Sequence, residues 1–450
     1  MSSTWWIAGG LALAVLAVPL SASAQSQTPP AQQQPQASPA ATAEPAASNV
    51  AGRVLSLPEV IKIALETQPQ IQSRLYDYAA ARFRVAQAMS PLLPQLAGTW
   101  TAARDRLVFG VGQTATAIDA TTTMNARVAL SQLLFDFGKT YAATEVARRL
   151  ADVAKEDVEV QRDLIVLSVK EAYFNLLFGK RLINVQRQAL DRAEVNLRAA
   201  RGFFEVGTRP KSDVTRAEVD VANARLDLIR ARNAERLARV ALNTGMGIAV
   251  DAPTEVEDIL TYVPFPVDHG QLRNEARQGR AEGRQARLRV QAAEATVKQQ
   301  ARNFLPDITA NAFVGAATTD FRDVWELGVA LNWSIFDGGT KIARYREATA
   351  TLQSTEAQVK AVDLNIAQEV EQASLNVQEG EERIQAARVA VEFARENFRL
   401  AQGRFDAGVG TIIELTDAQL ALTQALSTEA QALADFRISV SRLERAVGRR

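Results

Sequence analysis

The chain repeats itself at a fixed offset of 201 residues. Phe135-Asp136-x-Gly138 recurs as Phe336-Asp337-x-Gly339, Asn175 as Asn376, Gly179 as Gly380, and Gly202-x-Phe204-acidic-x-Gly207 as Gly403-x-Phe405-acidic-x-Gly408. Upstream the offset is 212, since Leu93-Pro94 matches Leu305-Pro306, so the first copy carries 11 extra residues between Pro94 and Phe135. A length difference confined to one place predicts two copies of one structural unit that differ in a loop.

Proline is absent from Lys139 to Gly202. Val146, Leu150, Val153, Val160, Leu164, Leu167, Phe174 and Phe178 recur there on a four-three spacing broken by Asp157 and Glu171, the seam of a coiled coil. The predicted long helix, about 139–203, recurs at about 341–404, with Gly179 and Gly380 as matching possible breaks. Shorter helices are predicted over 57–90, 211–246, 270–303 and 411–446, two in each copy. Two of about 35 residues match one long helix in length and could stack end to end against it.

Helices alone would fit a soluble rod, but the strands argue otherwise. From Trp325 to Phe336, Trp325, Leu327, Val329, Leu331, Trp333 and Ile335 point one way and Glu326, Gly328, Ala330, Asn332, Ser334 and Phe336 the other. Met124, Ala126, Val128, Leu130 and Leu134 likewise oppose Asn125, Arg127, Ala129 and Ser131. Strands are predicted at about 94–104, 122–136, 307–317 and 324–336, near the length a tilted strand needs to cross a bilayer. Alternation also fits a half-buried sheet of a soluble domain. Four strands cannot close a barrel and an open edge is forbidden in lipid, so strands that enter a membrane require two, three or four chains.

The ends of the chain point to export. Trp5–Leu20 is an apolar run followed by Ala22-Ser23-Ala24, which makes 1–24 a predicted signal peptide, although no positive charge precedes the run. Residues 25–54 are Pro-, Ala- and Gln-rich and are read as a disordered leader. Pro253, Pro264 and Pro266 mark 251–269 as a linker between a first repeat, 55–250, and a second, 270–448. Lys plus Arg and Asp plus Glu number 51 each, leaving no basic field to gather nucleic acid. The chain has no cysteine and one histidine, His269, in the linker. No residues have metal-ligand or triad spacing, so neither an enzyme nor a cofactor is expected.

In this order and spacing the features resemble those of the TolC-like outer-membrane efflux proteins, over about residues 55–448. The resemblance implies an α+β membrane protein, a homotrimer with a 12-stranded β-barrel in outer-membrane lipid continued by a periplasmic α-helical barrel. It implies a passive conduit of a tripartite efflux pump or type I secretion system. The conduit docks on a periplasmic adaptor (membrane fusion protein) and an inner-membrane transporter, and opens at its helical tip. A periplasmic coiled-coil adaptor is the competing expectation, although that class usually carries one hairpin flanked by small β domains.

The resemblance assigns adaptor docking to two tip turns, represented here by Val206, Gly207 and Thr208 and by Gly408, Val409, Gly410 and Thr411. It assigns pore gating and cation selectivity to Glu414 and Asp417, with Asp213 as a first-copy acid that holds the tip closed. Arg216, the counterpart of Asp417, is expected to pair with these acids in the closed state. Thr411-x-x-Glu414 also reads as a capping box, in which the glutamate satisfies a backbone donor. The chain departs from the family pattern where Glu414 replaces an aspartate, and where Gly410 stands at a position that is basic in TolC itself.

Overall fold

The computed structural model describes residues 53–105, 108–109, 116–117, 120–317 and 322–450. The predicted signal peptide and all of the predicted leader except Arg53 and Val54 lie outside the described residues.

The first half runs β1 (Val54–Leu55), α1 (Leu57–Thr67), α2 (Pro69–Met89), β2 (Gln95–Asp105), β3 (Val108–Phe109), β4 (Thr116–Ala117), β5 (Thr121–Phe135), α3 (Lys139–Glu205) and α4 (Lys211–Met246). The second runs β6 (Glu255–Val256), α5 (His269–Gly279), α6 (Ala281–Arg302), β7 (Asp307–Ala317), β8 (Arg322–Asn332), α7 (Thr340–Asp406) and α8 (Ile412–Val447). Val54, expected in the leader, pairs in parallel with Glu255 of the linker.

Helices α3 and α7 each have 67 residues, about 100 Å at 1.5 Å per residue. Each starts behind the Phe-Asp-x-Gly turn. The Asp136 carboxylate accepts from the Gly138 amide at 2.9 Å and the Thr140 amide at 2.6 Å, filling donors that a helix start leaves orphaned. Burial alone would raise the pKa of Asp136. The Thr140 and Gly138 bonds and the Lys139 charge outweigh it and hold the carboxyl below its ordinary range. Asp337 repeats the cap by accepting from the Lys341 amide at 3.1 Å.

Neither long helix breaks at its central glycine. The glycines are sites of close approach instead: a Cβ at Gly179 would sit 3.1 Å from Glu235 Cα of α4, and one at Gly380 3.4 Å from the Phe436 ring of α8. The breaks fall in the shorter partners, so the helices expected over 57–90 and 270–303 are each two. Gln68 is extended (φ −68, ψ 118) because Pro69 excludes the helical region for the residue before it. Arg280, its counterpart at the 212 offset, is equally extended (φ −66, ψ 127) with no proline after it. Gln68 Nε2 donates to Gly245 O at 2.9 Å, so α1 and α2 meet the end of α4 and together line α3.

The predicted single seam on α3 is also corrected. Val153 and Phe174 are buried, but Leu150 and Leu164 are 53% and 39% exposed. Val158, Ile165, Val169, Tyr173 and Leu177 carry much of the core, because α1, α2, α4, α6 and α8 pack around this helix from several sides. Tyr173 lies under the linker, where its hydroxyl donates to Glu257 O at 2.8 Å. Burial, with the nearby Glu257 charge, pushes this phenol up to about 12.

The main sheet has the order β2-β5-β7-β8, antiparallel throughout, with β5 and β7 joining the two halves. β8 begins at Arg322 and ends at Asn332, short of the expected 336, since its partner β7 begins only at Asp307, after Pro306. Trp325, Leu327, Val329 and Leu331 are all more than 60% exposed, and through the register they share a face with Val314, Val128, Leu96 and Trp100. The opposite face is polar: Arg127 Nε donates to Thr99 Oγ1 at 3.3 Å, and Ser131 Oγ to Asn311 Oδ1 at 3.0 Å. A bulge at Leu134 breaks the alternation and sets Phe135 opposite Ile308, on the apolar side.

Candidate functional site

The tip turns lie between α3 and α4 and between α7 and α8. In the first, Gly207 adopts φ +75 and Thr208 closes on the helix end, its amide and hydroxyl both donating to Phe203 O at 2.9 Å. In the second, Gly408 adopts φ +78, and the Val409 and Gly410 amides donate to Arg404 O at 3.0 and 2.8 Å. Positive φ makes glycine the natural residue at 207 and 408. Gly410 answers a different need, since a Cβ there would lie 2.9 Å from Phe405 N.

Beneath the turns Phe405, Ile412 and Leu415 form a small core with Ala199, Phe203 and Phe398. The Phe203 and Phe405 rings meet edge to face at 5.6 Å. Phe204, the offset counterpart of Phe405, points outward instead. The two hairpins thus rest on each other through unlike residues.

The charges are equally unlike. Asp213 and Glu414 are counterparts at the 201 offset, and each faces an arginine from a different place. Asp213 lies 3.8 Å from Arg209 in its own turn, whereas Glu414 bonds Arg404 of the last turn of α7 at 3.0 Å. Thr411 caps α8 by accepting from the Glu414 amide at 3.2 Å. The Glu414 carboxylate does not complete a capping box, because Arg404 takes it. Asp417 lies one turn along α8 on the same exposed side. Arg216 is also exposed, and among the described residues neither it nor Asp417 has an ion-pair partner within the chain.

Arg209 is the residue the sequence reading missed. Its guanidinium donates to the Gly410 carbonyl, stands 5.1 Å from the centre of the Phe405 ring and approaches Asp213, so one side chain fastens the first turn to the second. The offset contained the signal: 209 is the counterpart of 410, so the basic residue absent from the second turn stands in the first. Above the tip, Thr416 Oγ1 donates to Asp220 at 2.9 Å and Asn196 Nδ2 to Gln419 at 2.6 Å, tying α8 to α4 and α3. Arg192 packs over the Phe398 ring at 5.9 Å, and burial pulls its pKa below the ordinary arginine value. Among the described residues no group of three or more His, Cys, Asp or Glu could hold a metal ion, and no helix is long and apolar enough to cross a membrane.

A family model described as outer membrane efflux protein matches residues 60–247 and 272–449. The outer membrane protein TolC of Escherichia coli (strain K12) is 24% identical over 415 residues, covering 87% of this chain and 82% of that protein. The alkaline protease secretion protein AprF of Pseudomonas aeruginosa is 23% identical over 408 residues, 86% of this chain and 83% of its own. Among solved structures, the Campylobacter jejuni CmeC outer membrane channel superposes with a TM-score of 0.74 at 15% identity, covering 87% of this chain and 85% of that one. At that identity the likeness establishes the fold.

Proposed function

The chain belongs to the outer membrane efflux protein family, and from that premise we propose that three copies form a passive conduit across the outer membrane and periplasm, opened at the helical tips when an adaptor and an inner-membrane transporter dock. The protein resides in the outer membrane of a Gram-negative bacterium, and its relatives are efflux and secretion channels.

The sheet carries the reading. One face is an exposed apolar band, the other is polar, and β2 and β8 are the edge strands, each pairing with one neighbouring strand only among the described residues. Such edges need pairing in lipid, and three copies supply twelve strands, a barrel size within the known range. The helices leave matching free seams. Val219, Leu226, Ile229, Leu237 and Val240 of α4 are exposed on a near-heptad spacing, as are Val389, Phe393 and Leu400 of α7. In a ring of copies α4 of one covers α7 of the next. Nothing in the tip resembles a transport motor, so energy and substrate choice belong to the inner-membrane partner. A lone periplasmic adaptor is disfavoured, because two 67-residue helices flank one shared sheet. The expected product is a heat-modifiable trimer in the outer-membrane fraction. A soluble or inner-membrane monomer would sink the reading.

Arg209 gives the opening step a residue. Its bond to the Gly410 carbonyl, with the Phe405 contact, is worth about 2 kcal/mol, enough to change the closed-to-open ratio of a tip about thirtyfold. Arg209→Ala is therefore expected to raise the conductance of reconstituted channels in planar bilayers, with Arg209→Lys in between. Conductance equal to the parent's would assign Arg209 to folding alone.

A further inference from the structure

Granted the lipid-facing reading of the sheet, we propose that Phe137, together with Phe135 and Trp333, seats the periplasmic end of the sheet in the headgroup boundary of the outer membrane. Phe137 has φ +54, and it is the one non-glycine residue with positive φ among the described residues. A bulky side chain in that region is a true outlier. Its counterpart at the 201 offset is Gly338, at φ +70. The turn into the long helix thus asks for a left-handed residue, glycine supplies it without strain, and the first copy nevertheless carries a phenylalanine.

The fold holds that strained residue in place. Arg302 of α6 donates to the Phe137 carbonyl at 2.8 Å. The Phe137 ring packs edge-on to Phe135 at 4.6 Å and is still 39% exposed. The bulge at Leu134 has already turned Phe135 to the apolar side, opposite Ile308. Across the sheet, Trp333 follows Leu331 at the same end, 55% exposed, with its Nε1 donating to Phe304 O at 3.1 Å. All three aromatic residues therefore stand at the lower limit of the apolar band. Just beyond them charges begin, with Arg302 and the Lys139–Asp307 pair at 3.0 Å.

The spacing is near the height of a bilayer's apolar band, about 5 Å short of it. Trp325 and Trp100 mark the other end of the band, and Trp333, just past the end of β8, is eight positions from Trp325, about 26 Å along the chain and about 20 Å along the bilayer normal at the tilt of a barrel strand. The apolar band of an outer-membrane barrel is about 25 Å tall and is flanked by aromatic girdles. Strain at Phe137 is maintained where an aromatic ring at the interface repays it, in one copy of the unit and not in the other.

The natural absence of cysteine makes a direct test simple. Phe137→Cys, Val329→Cys in the middle of the apolar band and Asn311→Cys on the polar face are each labelled with an environment-sensitive fluorophore. They are reconstituted in vesicles of phosphatidylethanolamine and phosphatidylglycerol. A label at 137 is expected to be quenched several-fold more by nitroxide lipids with the spin near the carbonyls than by aqueous iodide, 329 by mid-chain nitroxide, and 311 by iodide. Quenching of 137 by iodide alone, or by neither agent as at a contact between copies, would overturn the anchor. Failure of 329 to meet lipid would instead overturn the lipid-facing reading of the sheet. Phe137→Gly, which relieves the strain, is expected to leave the detergent-solubilised trimer at least as heat-resistant as the parent. A less stable trimer would reassign the ring to folding.

Discussion

Replacing Glu414 and Asp417 together by alanine is expected to abolish cation preference and tip the channel toward anions. In the proposed trimer, six carboxylates from these positions would stand around one axis. Arg404 brings three guanidiniums to the same level, because it bonds Glu414 at 3.0 Å. Each unit charge about 8 Å from a passing ion is worth about 0.5 kcal/mol in water. Six acids against three bases thus leave about 1.5 kcal/mol in favour of a cation, and salt at 0.1 M reduces it by about half. The parent is then expected to enrich cations about threefold and deplete anions about as much, a selectivity of about tenfold, and to be blocked by multivalent cations, which gain in proportion to their charge. The double variant keeps the three Arg404 guanidiniums and loses the six carboxylates of these two positions. Asp417→Ala alone should reach near-neutrality, and Arg404→Ala should strengthen cation preference and block. Reversal potentials across a salt gradient in planar bilayers read all four channels. The same reversal potential in the parent and the double variant would remove both residues from the pore.

The sequence made the long helices legible because their signals are local: a proline-free run, an Asp cap behind each strand and a positive-φ glycine after each end. It also revealed the faces of β5 and β8, because alternation is a property of the strand itself. What it could not reveal depends on neighbours. Gly179 and Gly380 have the composition of helix breaks, and only the positions of Glu235 and Phe436 show them to be points of approach. The bulge at Leu134 turns on the pairing of β5 with β7, two segments far apart in the chain. At the tip, the sequence supplied the acids but not their partners. Arg404 displaces the expected capping role of Glu414, and Arg209 reaches a carbonyl in the other copy. The break at Gln68 could have been read from Pro69. Nothing next to Arg280 announces its own.

At that silent break the two halves differ in chemistry, and Arg280→Ala is expected to destabilise the fold by about 3 to 5 kcal/mol, the usual cost of breaking a buried ion pair by removing one partner. The Arg280 side chain is only 4% exposed. Its guanidinium takes both oxygens of Glu282 at 3.0 Å, one of Glu369 at 2.6 Å, and the Ala446 carbonyl at 3.3 Å near the end of α8. Arg445 adds a bond to Glu282 at 2.9 Å. The offset counterparts in the first copy, Gln68, Gln70, Ser168 and Thr244, are all neutral, and Gln68 reaches the end of α4 with an amide in place of an ion. One junction is built twice, once from dipoles and once from charges. Arg280→Gln alone should cost nearly as much as alanine, because it leaves the half-buried Glu282 beside Arg445 only. Arg280→Gln with Glu282→Gln, which copies the first junction, should recover most of the loss, and non-additivity of that pair measures the coupling. Acid distinguishes the two designs. Burial would raise the pKa of Glu282, but Arg280 outweighs it and holds the carboxyl below its ordinary 4.5. A depressed carboxylate contributes stability that is present above its unfolded pKa and is lost as pH falls through the folded value. The parent should therefore lose melting temperature more steeply than the double variant as pH falls below about 4.5, the window set by that shift. Helical melts followed by circular dichroism at pH 7 and in this acid range measure both effects, and equal acid sensitivity of parent and double variant would show that the ion network adds nothing to the fold that the neutral junction lacks.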